Sequence, residues 1–129
     1  MNALRVETLE LAKQLAAQNP HGLVEMYTVH DQRCVWASPS HRAILGYNPQ
    51  ELVGKHWKDI VDPADHAHKD IMINDALLTG GSMEISFYVL AKSGQRRHVR
   101  VIDTLYSEPD TEEQYVICRT TQIFDENSD

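Results

Sequence analysis

The sequence predicts an α+β fold: a five-stranded antiparallel sheet with short helices and one longer helix on one face, preceded by an N-terminal amphipathic helix. Three observations carry that prediction. Two short runs rich in strand-forming residues, VEMYTVH and CVWA, are followed by helical turns punctuated by Pro and Gly. Three longer strand-like runs, about 82–91, 96–106 and 113–124, close the chain. The first two of these meet at Lys92-Ser93-Gly94-Gln95, a tight hairpin signal, and the last two at the acidic loop SEPDTEE.

The first element is a helix over residues 3–18. Leu4, Thr8, Leu11 and Leu15 follow a 4-3-4 spacing along one stripe, and Leu9, Ala12 and Ala16 widen it. Asn19-Pro20 and Gly22 stop it. Two readings of the stripe stand. Either it packs on its own domain, or Leu4, Leu11 and Leu15 pair the helix with a second copy.

Strand 24–30 turns at Asp31-Gln32-Arg33 into strand 34–37, and Pro39 blocks further pairing. Ser40 is placed to cap a short helix, 41–45, that ends at Gly46. Asn48 caps the next turn, with Pro49 at its first position, and Gly54 ends it. HWKDIV makes another turn. Asp62-Pro63-Ala64-Asp65 then starts the long helix, with Asp62 as cap and Asp65 completing a capping box. That helix runs to about Thr79, before Gly80-Gly81. Strand 96–106 alternates, with Val99 and Val101 set against the charged Arg100 and Asp103.

The organisation is therefore a coupling or dimer helix over 1–21, one domain over 22–124, and a polar tail over 125–129 leading to an output linker. The 129 residues suffice for one core, and 42% of them are apolar. A net charge of −7 argues against a nucleic-acid backbone and against anionic lipid as partners. No run is long and apolar enough to span a membrane, and the first residues lack a signal peptide's apolar core, so the expected location is cytoplasmic. Cys34 and Cys118 form no metal or redox motif and are expected to behave as small hydrophobes.

The ordered pieces Ser38-Pro39, Leu45-Gly46-Tyr47, Pro49-Gln50-Glu51-Leu52, Gly54, Asp59-Ile60-Val61 and Asp62-Pro63-Ala64-Asp65, with AKSGQRRHV later, resemble a PAS (Per-Arnt-Sim) sensory domain over about residues 22–124. Each piece is weak alone, and the ordered set at the right spacing is strong. Ser93 stands where the family's hairpin has Asp, His98 where it often has Trp, and Asp62 where His is common. The resemblance implies a sensory or regulatory module of a signalling protein such as a histidine kinase or diguanylate cyclase. A cue would act in a cavity or at a dimer surface, and flanking helices would pass the change to an output domain. The alternatives are a cofactor-free interaction and dimerisation module, and a redox or oxygen sensor carrying haem or flavin.

His41, in SHRAIL, superficially matches a kinase phosphoacceptor. It is followed by Arg42 rather than an acidic residue, and its helix ends at Gly46. The light-oxygen-voltage subclass of the family carries a reactive cysteine in a G-x-N-C run. Here Trp57 takes that place, so no thiol adduct forms. His68, one helical turn from Met72, is the haem candidate that the resemblance offers. No metal site is expected, because Asp62 and Asp65 already serve the helix start. No nucleophile, carboxylate pair or phosphate loop supports catalysis. No cofactor is the leading expectation. Cavity-lining candidates, from alternation, are Val35, Ile44, Leu45, Trp57, Ile71, Ile85, Phe87, Val99, Val101, Tyr115 and Ile117. A homodimer, a small-molecule ligand and a downstream output domain are the expected partners.

Overall fold

The computed structural model describes residues 7–109 and 111–124. Helix α1 (Glu7–Gln18) precedes the hairpin β1 (Val24–Thr28) and β2 (Cys34–Ala37). The short helices α2 (His41–Leu45) and α3 (Pro49–Leu52) follow, then 3-10 turns at Trp57–Asp59 and Pro63–Asp65, and the long helix α4 (His66–Thr79). Strands β3 (Ser82–Leu90), β4 (Arg96–Ser107) and β5 (Gln114–Phe124) complete one antiparallel sheet in the order β2-β1-β5-β4-β3. Leu4 lies outside the described residues.

Local chemistry sets the helical block. Gly46, at φ 84°, closes α2 by donating to the carbonyls of His41 and Arg42. At α3 the Asn48 N–H donates to Glu51 Oε1 at 3.0 Å, completing a capping box. Two expected caps take other partners. Ser40 Oγ donates to the Gly22 carbonyl at 2.6 Å and ties α2 back to the lead-in of β1. Asp65 accepts from the Tyr88 N–H at 2.9 Å, so it pins the start of α4 to β3 instead of boxing its own helix. Asp62 does cap, accepting from the Ala64 N–H at 3.0 Å.

Helices lie against both faces of the sheet. α2, α3 and α4 lie over one face, around a core that includes Leu23, Leu45, Trp57, Phe87, Val99 and Val101. α1 lies over the other face at the β1–β5 side. There Thr8 and Ala12 are buried, and Leu9, Leu11 and Leu15 are half-buried against Val24, Met26, Tyr115 and Ile117. Val24, Met26 and Ile117 are almost fully enclosed, and each such side chain contributes about 1.5–3 kcal/mol by burial. The leucine stripe of α1 is thus turned onto its own sheet. A carboxylate from the β4–β5 connection holds the helix start: the Glu7 N–H donates to Glu108 Oε2 at 3.0 Å, and the Thr8 hydroxyl donates to Glu108 Oε1 at 2.8 Å. At the other end, Asn19 Nδ2 donates to the Thr120 carbonyl at 2.9 Å. Among the described residues, no helix is long and apolar enough to cross a membrane.

Candidate functional site: a charged-floor cavity under the helices

Between the sheet and the helical block lies a cavity of about 60 Å³. Its walls are apolar, with Leu45 from α2, Trp57 and Val61 from the turns, and Phe87, Val99 and Val101 from the sheet. Its floor is not. Glu25 on β1, Cys118 on β5 and Asp103 on β4 are register partners across three neighbouring strands, and all three line the cavity. Register places such partners' side chains side by side on one face.

Each floor carboxylate holds a cation brought by a different helix. His41 of α2 is 1% exposed, with Nε2 2.7 Å from Glu25 Oε2 and Nδ1 2.9 Å from the Ser38 carbonyl. A carbonyl only accepts, so Nδ1 carries a proton. The carboxylate beside Nε2 then favours a second proton, assigning the ring as imidazolium. Burial alone would lower the His41 pKa. The hydrogen bond and charge of Glu25, helped by Ser38, outweigh that and hold it above the usual histidine value. Lys69 of α4 lies 3.2 Å from Asp103 Oδ2, with both side chains buried. Its burial is likewise outweighed by the Asp103 charge, and its pKa stands above the usual lysine value. Its ammonium also sits 4.5 Å from the Phe87 ring centroid and 5.3 Å from that of Trp57.

Burial and the neighbouring carboxylates push the Tyr27 hydroxyl and the Cys118 thiol well above their ordinary pKa values, in each case with burial the larger cause. Burial pushes the Cys34 thiol up to about 12. Both cysteines are buried and carry protonated thiols, so neither is an activated nucleophile. His41 has both ring nitrogens engaged inside the fold, which leaves no nitrogen for phosphate. Trp57 donates to Gln32 Oε1 at 2.6 Å, and Gln32 holds φ 58° in the β1–β2 turn.

The structure divides the sequence-derived candidates. Leu45, Trp57, Phe87, Val99 and Val101 line the cavity. Ile44 and Ile85 stand in the core around it. Ile71 is 67% exposed: on α4 the inner face is set by Lys69, Ile73 and Ala76, and a residue two beyond Lys69 points away. Val35, Tyr115 and Ile117 face α1 on the opposite side of the sheet. On β5 the inward parity belongs to Val116, Cys118 and Thr120. His68, the haem candidate, is exposed outside the cavity. The sequence reading missed further apolar lining residues, among them Leu23, Val61, Ile73, Val89 and Val116, and it missed the polar ones, including Glu25, Tyr27, Gln32, His41, Lys69, Asp103 and Cys118. The signal for Asp103 was present, since it shares its parity with Val99 and Val101. Lys69 gave none, because a lysine amid His68 and Asp70 reads as solvated.

A single antiparallel sheet, a cap of short helices and a small interior cavity define an α+β module. The family model for the PAS fold matches residues 35–120, and the chain belongs to that family. Solved structures agree on the fold. A PAS domain of a protein from Colwellia psychrerythraea superposes with a TM-score of 0.73 at 11% identity, covering 90% of this chain and 97% of its own. A PAS domain from a two-component sensor histidine kinase gives 0.69 at 14% identity, covering 91% and 98%. The N-terminal domain of a diguanylate cyclase with PAS/PAC sensor from Marinobacter aquaeolei gives 0.64 at 15% identity, covering 81% and 94%.

Proposed function

We propose that the chain is the sensory or regulatory module of a signal-transduction protein of histidine kinase or diguanylate cyclase type. A small molecule in the cavity is its cue, and a cytoplasmic output domain is its target. One observation carries the reading: β5 serves the cavity and α1 at once. Cys118 and Thr120 line the cavity, while Tyr115 and Ile117 on the opposite face seat α1, and the Thr120 carbonyl anchors the end of that helix. A change in occupancy that shifts β5 therefore reaches α1 through one layer of packing. Close-packed layers rearrange between discrete arrangements and do not deform smoothly. The family and the neighbours from a histidine kinase and a diguanylate cyclase support a signalling role. The reading gives this chain binding and coupling, with catalysis left to the output.

Native mass spectrometry of the chain as isolated tests it. A noncovalent mass addition that disappears on denaturation supports the reading. A bare mass, together with no cavity resonance moved by any compound in a small-fragment NMR screen, overturns it.

A second reading, pairing with another copy, is favoured by the outer face beyond α1. There His98 stacks between Tyr88 and Phe124, with ring centroids 4.5 Å apart on each side. Sedimentation of the chain reports it as a mass twice that of the monomer.

A further inference from the structure

The two nitrogens of the buried His41 ring both face acceptors. Nε2 lies 2.7 Å from Glu25 Oε2, and Nδ1 lies 2.9 Å from the Ser38 carbonyl. With a carboxylate at Glu25, only the doubly protonated ring satisfies both contacts. The Ser38 hydroxyl is 3.3 Å from Nδ1 but is engaged elsewhere. Ser40 Oγ donates to the Gly22 carbonyl at 2.6 Å, so its one hydrogen is spent, and in the 2.8 Å contact between the two hydroxyls Ser38 is the donor. The Gly22 N–H in turn donates to the carbonyl of Asn19, the residue just past the end of α1, at 3.1 Å. A chain of hydrogen bonds therefore runs from Ser38 through Ser40 and Gly22 to the stop of α1. Ser38 and Ser40 also border a surface groove of about 490 Å³, lined by Lys13 and Ala16 of α1, which gives a proton a route to solvent.

We propose that His41 makes the chain a proton sensor, a second input independent of any molecule in the cavity, in which loss of the ring proton turns the Ser38 hydroxyl and breaks the chain that ends at α1. The proton that leaves is the one on Nδ1, because the Nε2–H bond to the Glu25 carboxylate is charge-assisted and stays. The bare Nδ1 then faces the Ser38 carbonyl, acceptor against acceptor, and the donor beside it is the Ser38 hydroxyl. That O–H turns from Ser40 Oγ to Nδ1, the Ser38–Ser40 bond breaks, and the departing proton passes to water. The groups facing His41 do not change charge with it. They are Glu25 and Tyr27 from β1, Cys118 from β5 and, a strand further on, the Lys69–Asp103 pair of α4 and β4. Tyr27 and Cys118 are held protonated well above neutral pH, and Lys69 is held charged. On α2 itself Arg42 is turned to Asn48 Oδ1, and Lys13 stands across the groove. Burial would lower the His41 pKa, and Glu25 with Ser38 outweighs it, so the transition falls above about pH 6.5.

The test is an NMR titration of the full chain, ¹³C,¹⁵N-labelled, from about pH 5.5 to about pH 8.5, which brackets histidine ionisation. It is run on the unmodified chain and on His21→Gln, since His21 is exposed and adjoins Gly22. The His41 ring, the Ser40 and Gly22 backbone amides and the Asn19 side-chain amide are followed. The expected result is one midpoint, above about 6.5, shared by the ring and all three amides, with the Nε2–H tautomer at the alkaline end. In Ser40→Ala the ring still titrates, while the linked shifts at Gly22 and Asn19 are lost. In Glu25→Gln the ring midpoint falls below that of the parent. A ring midpoint at or below about 6.5 overturns the sensor. A ring that titrates as expected while Gly22 and Asn19 stay still, or keep moving in Ser40→Ala, overturns the relay, as does an Nδ1–H tautomer at the alkaline end. The midpoints and the tautomer in the unmodified chain and His21→Gln decide the matter even if the Ser40 and Glu25 variants fail to fold, and none of these outcomes bears on the cavity reading.

Discussion

Glu25 and Asp103 stand on either side of Cys118 on the inner face of three adjacent strands, and each pins a different helix to the sheet. His41 brings α2 to Glu25 at 2.7 Å, and Lys69 brings α4 to Asp103 at 3.2 Å. The cavity roof is therefore fastened at two charged points with apolar wall between them. The consequences differ for the two pairs.

Lys69 and Asp103 form a buried pair whose desolvation rivals its Coulombic gain. Lys69→Met leaves the Asp103 carboxylate buried without its partner and is expected to cost about 3–5 kcal/mol. The double variant Lys69→Met, Asp103→Leu removes both charges and is expected to recover most of that loss, or to exceed the parent by about 1–4 kcal/mol. Urea denaturation of the three proteins checks this. A double variant as unstable as the single would mean that the pair contributes net stability.

The His41–Glu25 pair makes stability depend on pH. The folded His41 pKa is raised, so its contribution is complete below the unfolded value near pH 6.5 and fades as pH rises through the higher folded value. His41→Gln is expected to cost about 1–3 kcal/mol at about pH 6. The gap between parent and variant should narrow as pH is raised above neutral. Denaturant midpoints of both proteins across that range give the gap directly. A gap that widens with pH contradicts the assignment of the ring as imidazolium.

Glu108 is a third fastening, this one between the β4–β5 connection and the start of α1. It is 1% exposed and accepts from two backbone N–H groups and from the Thr8 hydroxyl. Glu108→Ala strands those donors and should cost about 1–3 kcal/mol. Amide exchange should accelerate over Glu7–Gln18 before it does so in β4 or β5. Uniform acceleration across the sheet would show that α1 does not open as a separate unit.

The fold was legible because its punctuation is local. Gly46, Gly94, Pro49 and Pro63 each fix a turn or a helix start within a few residues of themselves, and the order of elements follows from them. The apolar cavity wall was half legible. Alternation gave the right face for Val99 and Val101 on β4, but it chose the wrong face on β5, where Tyr115 and Ile117 are also buried. A strand covered on both sides shows no polar parity to read. α4 misled for a related reason. Its inward position is a lysine, Lys69, whose partner Asp103 lies 34 residues away in sequence, and its apolar Ile71 and Leu78 point to solvent. Ion pairs formed across the sheet leave no local pattern, so the charged floor emerged only from the register of β1, β5 and β4.

On the proposed function, the space above that floor admits a small molecule. The two tryptophans give the most direct measurement. Trp57 lines the cavity, and Trp36 packs on the opposite face near α1. On titration of the full chain with cyclopentanol, the Trp57 indole N–H resonance should shift and saturate while that of Trp36 moves little. Equal movement of both, or saturation at Trp36 alone, would place binding outside the cavity and contradict the account.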